Sequence, residues 1–274
     1  MSRDYRNLFD LTGRTAIVTG GLGILGRAFC EALAAFGAHV VVADLDGEGA
    51  RHYAREITEI SGIPCEGWEC DVTSEASVEA LVDRAMERFG SIDVLHNNAA
   101  SKSDNLAAFF APAEDYSLAE WRKIMAVNLD GVFLVSRAVG RRMIEQGRGG
   151  SIIHTGSIYG HLGADARIYQ GSEYLGLAIN TPPVYAASKA GVAGLARYLA
   201  TLWAEHGIRV NTLVPGGVQS GQNREFVDRY SQRVPLGRMG NADDLVGALI
   251  YLASDASRYV TGQNLYVDGG LSAW

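Results

Sequence analysis

The sequence predicts one α/β domain: an open, doubly wound, seven-stranded parallel sheet with helices on both faces. Three observations support this. Short apolar runs alternate with longer amphipathic stretches along the whole chain. The length, 274 residues, suits a single α/β domain. No internal repeat, low-complexity tract or Pro/Gly-rich linker divides the chain.

The elements follow in order. Residues 15–19 (TAIVT) read as a buried strand. Leu25, Ala28, Phe29, Ala32 and Leu33 come next at helical spacing and form one apolar face. Residues 39–43 (HVVVA) make a second strand, and a polar helix continues to about Ile60. A third short strand lies within 65–70, with a helix over 74–89 and a fourth strand over 92–96. A long helix over 118–145 leads to a strand at 151–155. A helix over 185–205, a strand at 208–214, a helix at 243–253 and a last strand at 264–267 complete the pattern. In such sheets ligands bind beyond the carboxyl ends of the strands, so the residues just after each strand are the candidates for function.

Composition excludes several classes. Lys and Arg number 24 against 31 Asp and Glu, a net charge of −7. Nucleic acid is not an expected partner, because phosphate binding needs a concentrated basic surface. No stretch approaches the roughly 20 apolar residues of a membrane span. Residues 1–11 are polar and charged and lack an apolar signal-peptide core, so a cytoplasmic protein is expected. The cysteines are Cys30, Cys65 and Cys70, an odd number with no metal-ligand spacing, and no metal is expected. Cys30 falls on the apolar stripe of its helix, which suits packing.

After the first strand, Gly20, Gly23 and Gly26 open a helix, with Leu25 in its first turn. Glycines there let the backbone approach a pyrophosphate that faces the helix N-terminus. Packing glycines would give the same letters, but strand, loop and helix are in register. The second strand ends at Asp44, where an acid can bind the ribose hydroxyls of a dinucleotide or cap the next helix. An acid repels a 2′-phosphate, and the loop offers no Lys or Arg, Arg27 lying just inside the helix. NAD is therefore expected rather than NADP.

Tyr185 and Lys189 stand at i and i+4 on one helix face. A phenol titrates near ~10, and a nearby cation lowers that value toward the range useful for proton transfer. The spacing alone is common. With the glycine loop, Asp71-Val72, Asn97-Asn98-Ala99-Ala100, Asn128, Ser157, Asn211, Pro215-Gly216 and Asp268-Gly269-Gly270 in order, the chain resembles the short-chain dehydrogenase/reductase family over nearly its whole length. That family has a Rossmann-like fold.

The resemblance implies a role for each matching residue. Tyr185 would be the general acid/base, and Ser157 would hydrogen-bond the reacting oxygen. Lys189 would bind the nicotinamide ribose and depress the tyrosine's pKa. Asn128 would hold a water that extends a proton relay. Asn128 also interrupts the apolar stripe of Trp121, Met125 and Val132, and a buried amide needs partners, whether a water or a neighbouring strand. Asp71 and Val72 would contact adenine, Asn97 the adenosine ribose region, and Val218 and Ser220 the nicotinamide amide. Relatives commonly form dimers or tetramers through the two long helices, and the terminal Trp274 is a candidate interface residue.

The sequence departs from the family in three places. The middle glycine is Gly23 where the commoner loop has it at Ile24, and Ala100 replaces a glycine. The separation of Ser157 from Tyr185 is about twice the usual one, so residues 158–184 read as an insertion over the substrate site. It holds Tyr159, His161, Asp165, Arg167, Tyr169, Gln170, Glu173, Tyr174 and Asn180. A second long segment, 101–116, follows the fourth strand on the same side. Such polar and aromatic groups suit a polyhydroxylated substrate, with Tyr159 and His161 as contacts beside Ser157 and Tyr185. Packing in an oligomer is the alternative use. His154 lies in a strand and suits a satisfied core histidine. The stretches Ser157-Ile158-Tyr159-Gly160 and Arg167-Ile168-Tyr169 also resemble a subgroup associated with bacterial surface-sugar synthesis. The expected activity is NAD-dependent hydride transfer between a nicotinamide and a secondary alcohol or ketone, sugar-like in character. A 3-oxoacyl thioester reductase is the enzymatic alternative, and an NAD-binding sensor or structural subunit the non-enzymatic one.

Overall fold

The computed structural model describes residues 4–274; Met1 to Arg3, part of the polar N-terminal stretch, lie outside the described residues. The first half alternates strictly: β1 (Thr15–Thr19), α1 (Ile24–Ala35), β2 (His39–Asp44), α2 (Gly47–Ser61), β3 (Glu66–Glu69), α3 (Glu75–Phe89) and β4 (Val94–Asn97). After it come α4 (Leu106–Phe109), α5 (Leu118–Met125), a π-helical segment (Ala126–Gly131), α6 (Val132–Gln146) and β5 (Gly150–Thr155). A small hairpin of β6 (Glu173–Tyr174) and β7 (Leu177–Ala178) precedes α7 (Pro183–Leu202) and β8 (Ile208–Pro215). The chain ends with α8 (Arg224–Ser231), α9 (Asp243–Ala253) and β9 (Asn264–Val267).

Seven parallel strands form one sheet in the order β3-β2-β1-β4-β5-β8-β9. The order reverses between β1 and β4, which opens a crevice at the strands' carboxyl ends. Strand side chains alternate between two cores. Ala16, Val18, Val40 and Val42 meet α1, α2 and α9, whereas Ile17, Val41, Leu95 and Ile152 meet α3, α6 and α7. Cys30 packs in the first core as its stripe suggested, and all three cysteines are buried and unpaired.

Three boundaries differ from the sequence reading, each for a physical reason. The long helix over 118–145 is not a continuous α-helix, because π turns interrupt it at Ala126–Gly131, around Asn128. The fourth strand begins at Val94 rather than Ile92. The backbone of Ile92 instead pairs with the Gln146 side chain, its N–H donating to Oε1 and its C=O accepting from Nε2, both at 2.9 Å. The helix read over 185–205 starts earlier, with proline in its first turn, and closes before a 3-10 turn over Ala204–His206. Periodicity did not reveal α4, α8 or the hairpin, which are short or mostly polar.

Gln146→Ala leaves a buried strand-end N–H and C=O unpaired. The variant is expected to lose about 1–3 kcal/mol of stability, measured by urea unfolding. A change within a few tenths would show that water replaces the amide at no cost.

Candidate active site

The glycine loop lies in the crevice between β1 and β4. Gly20 takes the left-handed conformation (φ +63°), and a Cβ there would stand 2.8 Å from the Ala99 backbone. Gly23 caps α1 without a side-chain bond, and the first helical bond runs from Arg27 N–H to Gly23 C=O at 2.9 Å. The Ile24 and Leu25 amides therefore find no acceptor within the protein, and both residues line the cavity, as an anion site at a helix N-terminus requires. Gly26 is different. It does not line the cavity, and a Cβ there would lie 2.1 Å from Gly20 O. Its role is close packing, which corrects the expectation of a cofactor contact.

At the end of β2 the two acids divide their roles. Asp46 caps α2 by accepting from Gly49 N–H at 2.9 Å. Asp44 instead accepts from Leu22 N–H at 3.1 Å and lines the cavity. Arg27 turns away: its Nε donates to Leu22 O at 3.1 Å, and its guanidinium covers the Tyr53 ring at 4.3 Å. Asp71 and Val72 line the cavity beyond β3, with one Asp71 oxygen holding the Thr73 N–H and hydroxyl.

Asn97 is a second correction. It is 3% exposed, and its Nδ2 donates to Ser136 Oγ at 2.9 Å on the α6 side, away from the crevice. Alternation along the strand turns Asn98 inward instead. Asn98 donates to the backbone oxygens of Thr19 and Gly20, at 3.3 and 3.1 Å, and lines the cavity. The doubled asparagine was the available signal, and strand parity was the means to choose between the two.

Beyond β5 and on α7 the expected catalytic side chains converge. Lys189 is 4% exposed, and its Nζ donates to Thr155 O at 2.7 Å. It sits 5.9 Å from the centre of the Tyr185 ring. Ser157, buried just past the end of β5, accepts from Tyr159 N–H at 3.2 Å and lies close enough to Tyr185 to act on its phenol. Burial pushes the Tyr185 phenol above its usual range and the Ser157 hydroxyl pulls it down, with a net upward shift. The expected depression by Lys189 is therefore not found in the protein alone. Burial lowers Lys189 itself to about 8.

Asn128 stands behind this group, fully buried in the π-helical segment. Its Oδ1 accepts from Ser101 N–H at 2.8 Å, a bond to the loop after β4 rather than to a strand. Its Nδ2 is buried without a partner, which leaves a donor for a water.

The two long segments close over the crevice. Asn180 Nδ2 donates to Phe110 O at 2.8 Å, and the Lys102 ammonium lies 4.7 Å from the centre of the Tyr174 ring. Tyr159 accepts from the Tyr169 hydroxyl at 3.1 Å, and Tyr169 also bonds Thr181 Oγ1 at 2.5 Å. Val218 and Ser220 line the same space, with Ser220 N–H held by Gln222 Oε1 at 2.7 Å. The cavity they line measures about 890 Å³. His161 is a third correction: it is exposed, stacks edge-on against Tyr266 at 5.3 Å and does not line the cavity. His154 is buried against Ser136 Oγ at 3.2 Å and lowered by burial to about 4, a neutral core histidine. Lys102 and Gln222 escaped the sequence reading because a single lysine or glutamine in a loop has no period. Among the described residues no three His, Cys, Asp or Glu side chains are grouped to hold a metal ion, and no helix is long and apolar enough to cross a membrane.

Residues 23–272 match the family model described as enoyl-(acyl carrier protein) reductase. The chain is 36% identical to D-threitol dehydrogenase of Mycolicibacterium smegmatis, over 96% of this chain and 94% of that one. It is 35% identical to the 3-oxoacyl-[acyl-carrier-protein] reductase of Escherichia coli, over 96% and 98%. A short-chain type dehydrogenase/reductase from Mycobacterium marinum superimposes with a TM-score of 0.86 at 33% identity, covering 99% of this chain and all of that one. A gluconate 5-dehydrogenase from Burkholderia cenocepacia, in complex with NADP and tartrate, gives 0.85 at 36% identity over 98% of each chain.

The chain belongs to the short-chain dehydrogenase/reductase family. As a short-chain dehydrogenase/reductase it is an oxidoreductase that interconverts alcohols and ketones with a nicotinamide cofactor. The residues fit that group: free amides at α1 suit a pyrophosphate, and Asp44 suits a ribose.

The buried ammonium sets a pH test. Lys189 is lowered from 10.5 to about 8 on folding. Between about 8 and 10.5 the unfolded chain binds more protons, so stability rises with pH across that window. Below it the folded protein carries the full cost of a buried charge. Lys189→Met is expected to be more stable than wild type at pH 7, by about 1–3 kcal/mol. Urea unfolding across that window should show the gain shrinking as pH rises; a gain that grows instead contradicts the assignment.

Proposed function

We propose that the protein is an NAD(H)-dependent dehydrogenase of a secondary alcohol in a polyol or sugar-derived substrate. The observation that carries the reading is the convergence of Tyr185, Ser157 and Lys189 beneath a hydroxyl-rich wall of Tyr159, Tyr169, Thr181 and Asn180. Names of relatives point the same way: a threitol dehydrogenase and a gluconate dehydrogenase. The resemblance of Ser157–Gly160 and Arg167–Tyr169 to surface-sugar enzymes supports a carbohydrate. The 3-oxoacyl reductase relative shares the fold, but an acyl chain has no use for such a row of hydroxyls.

Ser157 Oγ holds the substrate oxygen, and Tyr185 exchanges a proton with it. In the oxidising direction the hydroxyl proton passes to Tyr185 as the carbon–hydrogen pair leaves as hydride. A bound nicotinamide dinucleotide supplies or accepts that hydride. Burial favours the protonated Tyr185, the form that donates toward a ketone, and oxidation uses the phenolate form, which has room for the hydroxyl proton. Lys189 and the free Nδ2 of Asn128, through a water, provide the route by which the proton leaves.

NAD is favoured because Asp44 faces the cavity and no Lys or Arg accompanies it there; Lys102 and Lys189 line the far side. Some relatives carry NADP, so the choice is tested on this chain. Assembly belongs to the same reading. Leu118, Phe133, Tyr198 and Leu202 leave large apolar side chains exposed on α5, α6 and α7, as expected of a homotetramer or dimer formed through these helices. Trp274 is 80% exposed, its Nε1 donating to Arg233 O at 3.1 Å, and is open to a neighbouring subunit. Three buried, unpaired cysteines accord with a reducing cytoplasm.

Tyr185→Phe is expected to lower kcat by about 10²–10⁴ while NADH affinity, followed by fluorescence, stays within a few-fold. Retained turnover of a confirmed substrate would falsify the mechanism. Asp44→Ala is expected to shift the ratio of kcat/KM for NAD over NADP by about tenfold or more toward NADP. An unchanged ratio removes Asp44 as the selecting group.

A further inference from the structure

We infer that Lys102 selects an anionic substrate, one carrying a carboxylate or phosphate on the end remote from the reacting carbon. The inference rests on the polyol reading above and specifies the substrate's charge.

The charges lining the cavity are unevenly disposed. Asp44 and Asp71 follow β2 and β3, on one side of the point where the strand order reverses. Lys102 follows β4, on the side that carries Ser157 and Tyr185. A third lining acid, Asp104, stands two residues from Lys102 on this same side, but it is committed to Lys123, with Nζ to Oδ2 at 2.8 Å. Among the described residues Lys102 makes no salt bridge and no hydrogen bond, so no protein acid pairs with it. Lys189, the other cation lining the cavity, is spent on the Thr155 carbonyl.

Lys102 is also held in place. Its ammonium lies 4.7 Å from the centre of the Tyr174 ring, a cation–π contact across the opening. Tyr174 is itself anchored twice, by pairing with Leu177 in the hairpin and by a bridge to Gln222. On the other side, Ser101 N–H is fixed to Asn128 Oδ1 at 2.8 Å, next to Lys102 in the chain. The contact thus joins the loop after β4 to the 158–184 segment. An exposed lysine at the edge of the cavity attracts a compact anion as a point charge, and carboxylate and phosphate both satisfy it.

Three alcohols of one six-carbon skeleton test this: D-sorbitol, D-gluconate and D-sorbitol 6-phosphate, each assayed by reduction of NAD and of NADP. Wild type is expected to favour at least one anionic substrate over sorbitol by about tenfold or more in kcat/KM, with KM for the anion rising with salt. The favoured anion distinguishes carboxylate from phosphate. Lys102→Met is expected to collapse the anion-to-sorbitol ratio about tenfold, mainly through KM, and Lys102→Arg to restore most of it. Equal or better use of sorbitol, or a ratio unmoved by Lys102→Met, overturns the inference and leaves the polyol reading standing. Turnover of none of the three overturns both.

Discussion

A lysine ammonium buried in an α/β core needs an acceptor, and the geometry of this site follows from where that acceptor lies. Lys189 donates to the Thr155 carbonyl at the carboxyl end of β5. The bond ties α7 to the strand whose next residues are Gly156 and Ser157. The turn after Ser157 then packs directly on the helix: a Cβ at Gly160 would lie 2.7 Å from the Lys189 backbone. Tyr185, one helical turn before the lysine, is thereby held against Ser157. An ammonium without that carbonyl would be an uncompensated buried charge, which costs several kcal/mol, so the helix and the strand cannot slide independently.

The same strand end reaches the other half of the crevice. Thr155 Oγ1 donates to Asn98 Oδ1 at 3.2 Å and lies 2.9 Å from His96 Nε2. With its proton given to Asn98, Thr155 accepts from His96, which places the histidine's proton on Nε2. Burial lowers His96 to about 3, so it stays neutral and the direction of the bonds is fixed across the working pH range. Asn98 passes the constraint on to the Gly20 carbonyl at 3.1 Å. One polar chain therefore runs from Lys189 through Thr155 and Asn98 to the glycine loop. It sets the two ends of the cavity at a fixed separation before anything binds.

How far the sequence reveals this depends on whether a residue's role is periodic. The strands and main helices were legible because burial on two faces imposes a pattern on the letters. The glycine loop, Asp44 and Tyr185 with Lys189 were legible because each occupies a set position relative to a strand or helix end. Asn97 and Asn98 were confused because adjacent identical residues point to opposite faces, and only the strand's exact end decides which one faces the crevice. His161 was misplaced because a polar residue in a long segment carries no directional signal. In three dimensions it leaves the cavity for the Tyr266 ring. The hairpin that seats Tyr174 depends on two short strands and a bridge to Gln222, contacts between segments far apart in sequence.

The interruption around Asn128 shows how the sequence pattern and the site are reconciled. Trp121, Met125, Asn128 and Val132 follow helical spacing, so an unbroken α-helix would place the amide on a stripe meant for apolar packing. The π-helical segment Ala126–Gly131 widens the helix there, and such segments recur at functional sites. Val132 still packs in the buried core, while Asn128 directs its Oδ1 to the Ser101 amide beyond β4. A regular helix would satisfy every backbone bond and leave the loop after β4 without this anchor. The irregularity instead fixes that loop and keeps one buried Nδ2 unpaired. An unpaired buried amide is costly unless water reaches it, so its persistence argues for a hydrated passage at this point rather than a dry core. A polar interruption in an apolar stripe is thus the trace in sequence of a helix deformed to serve the site.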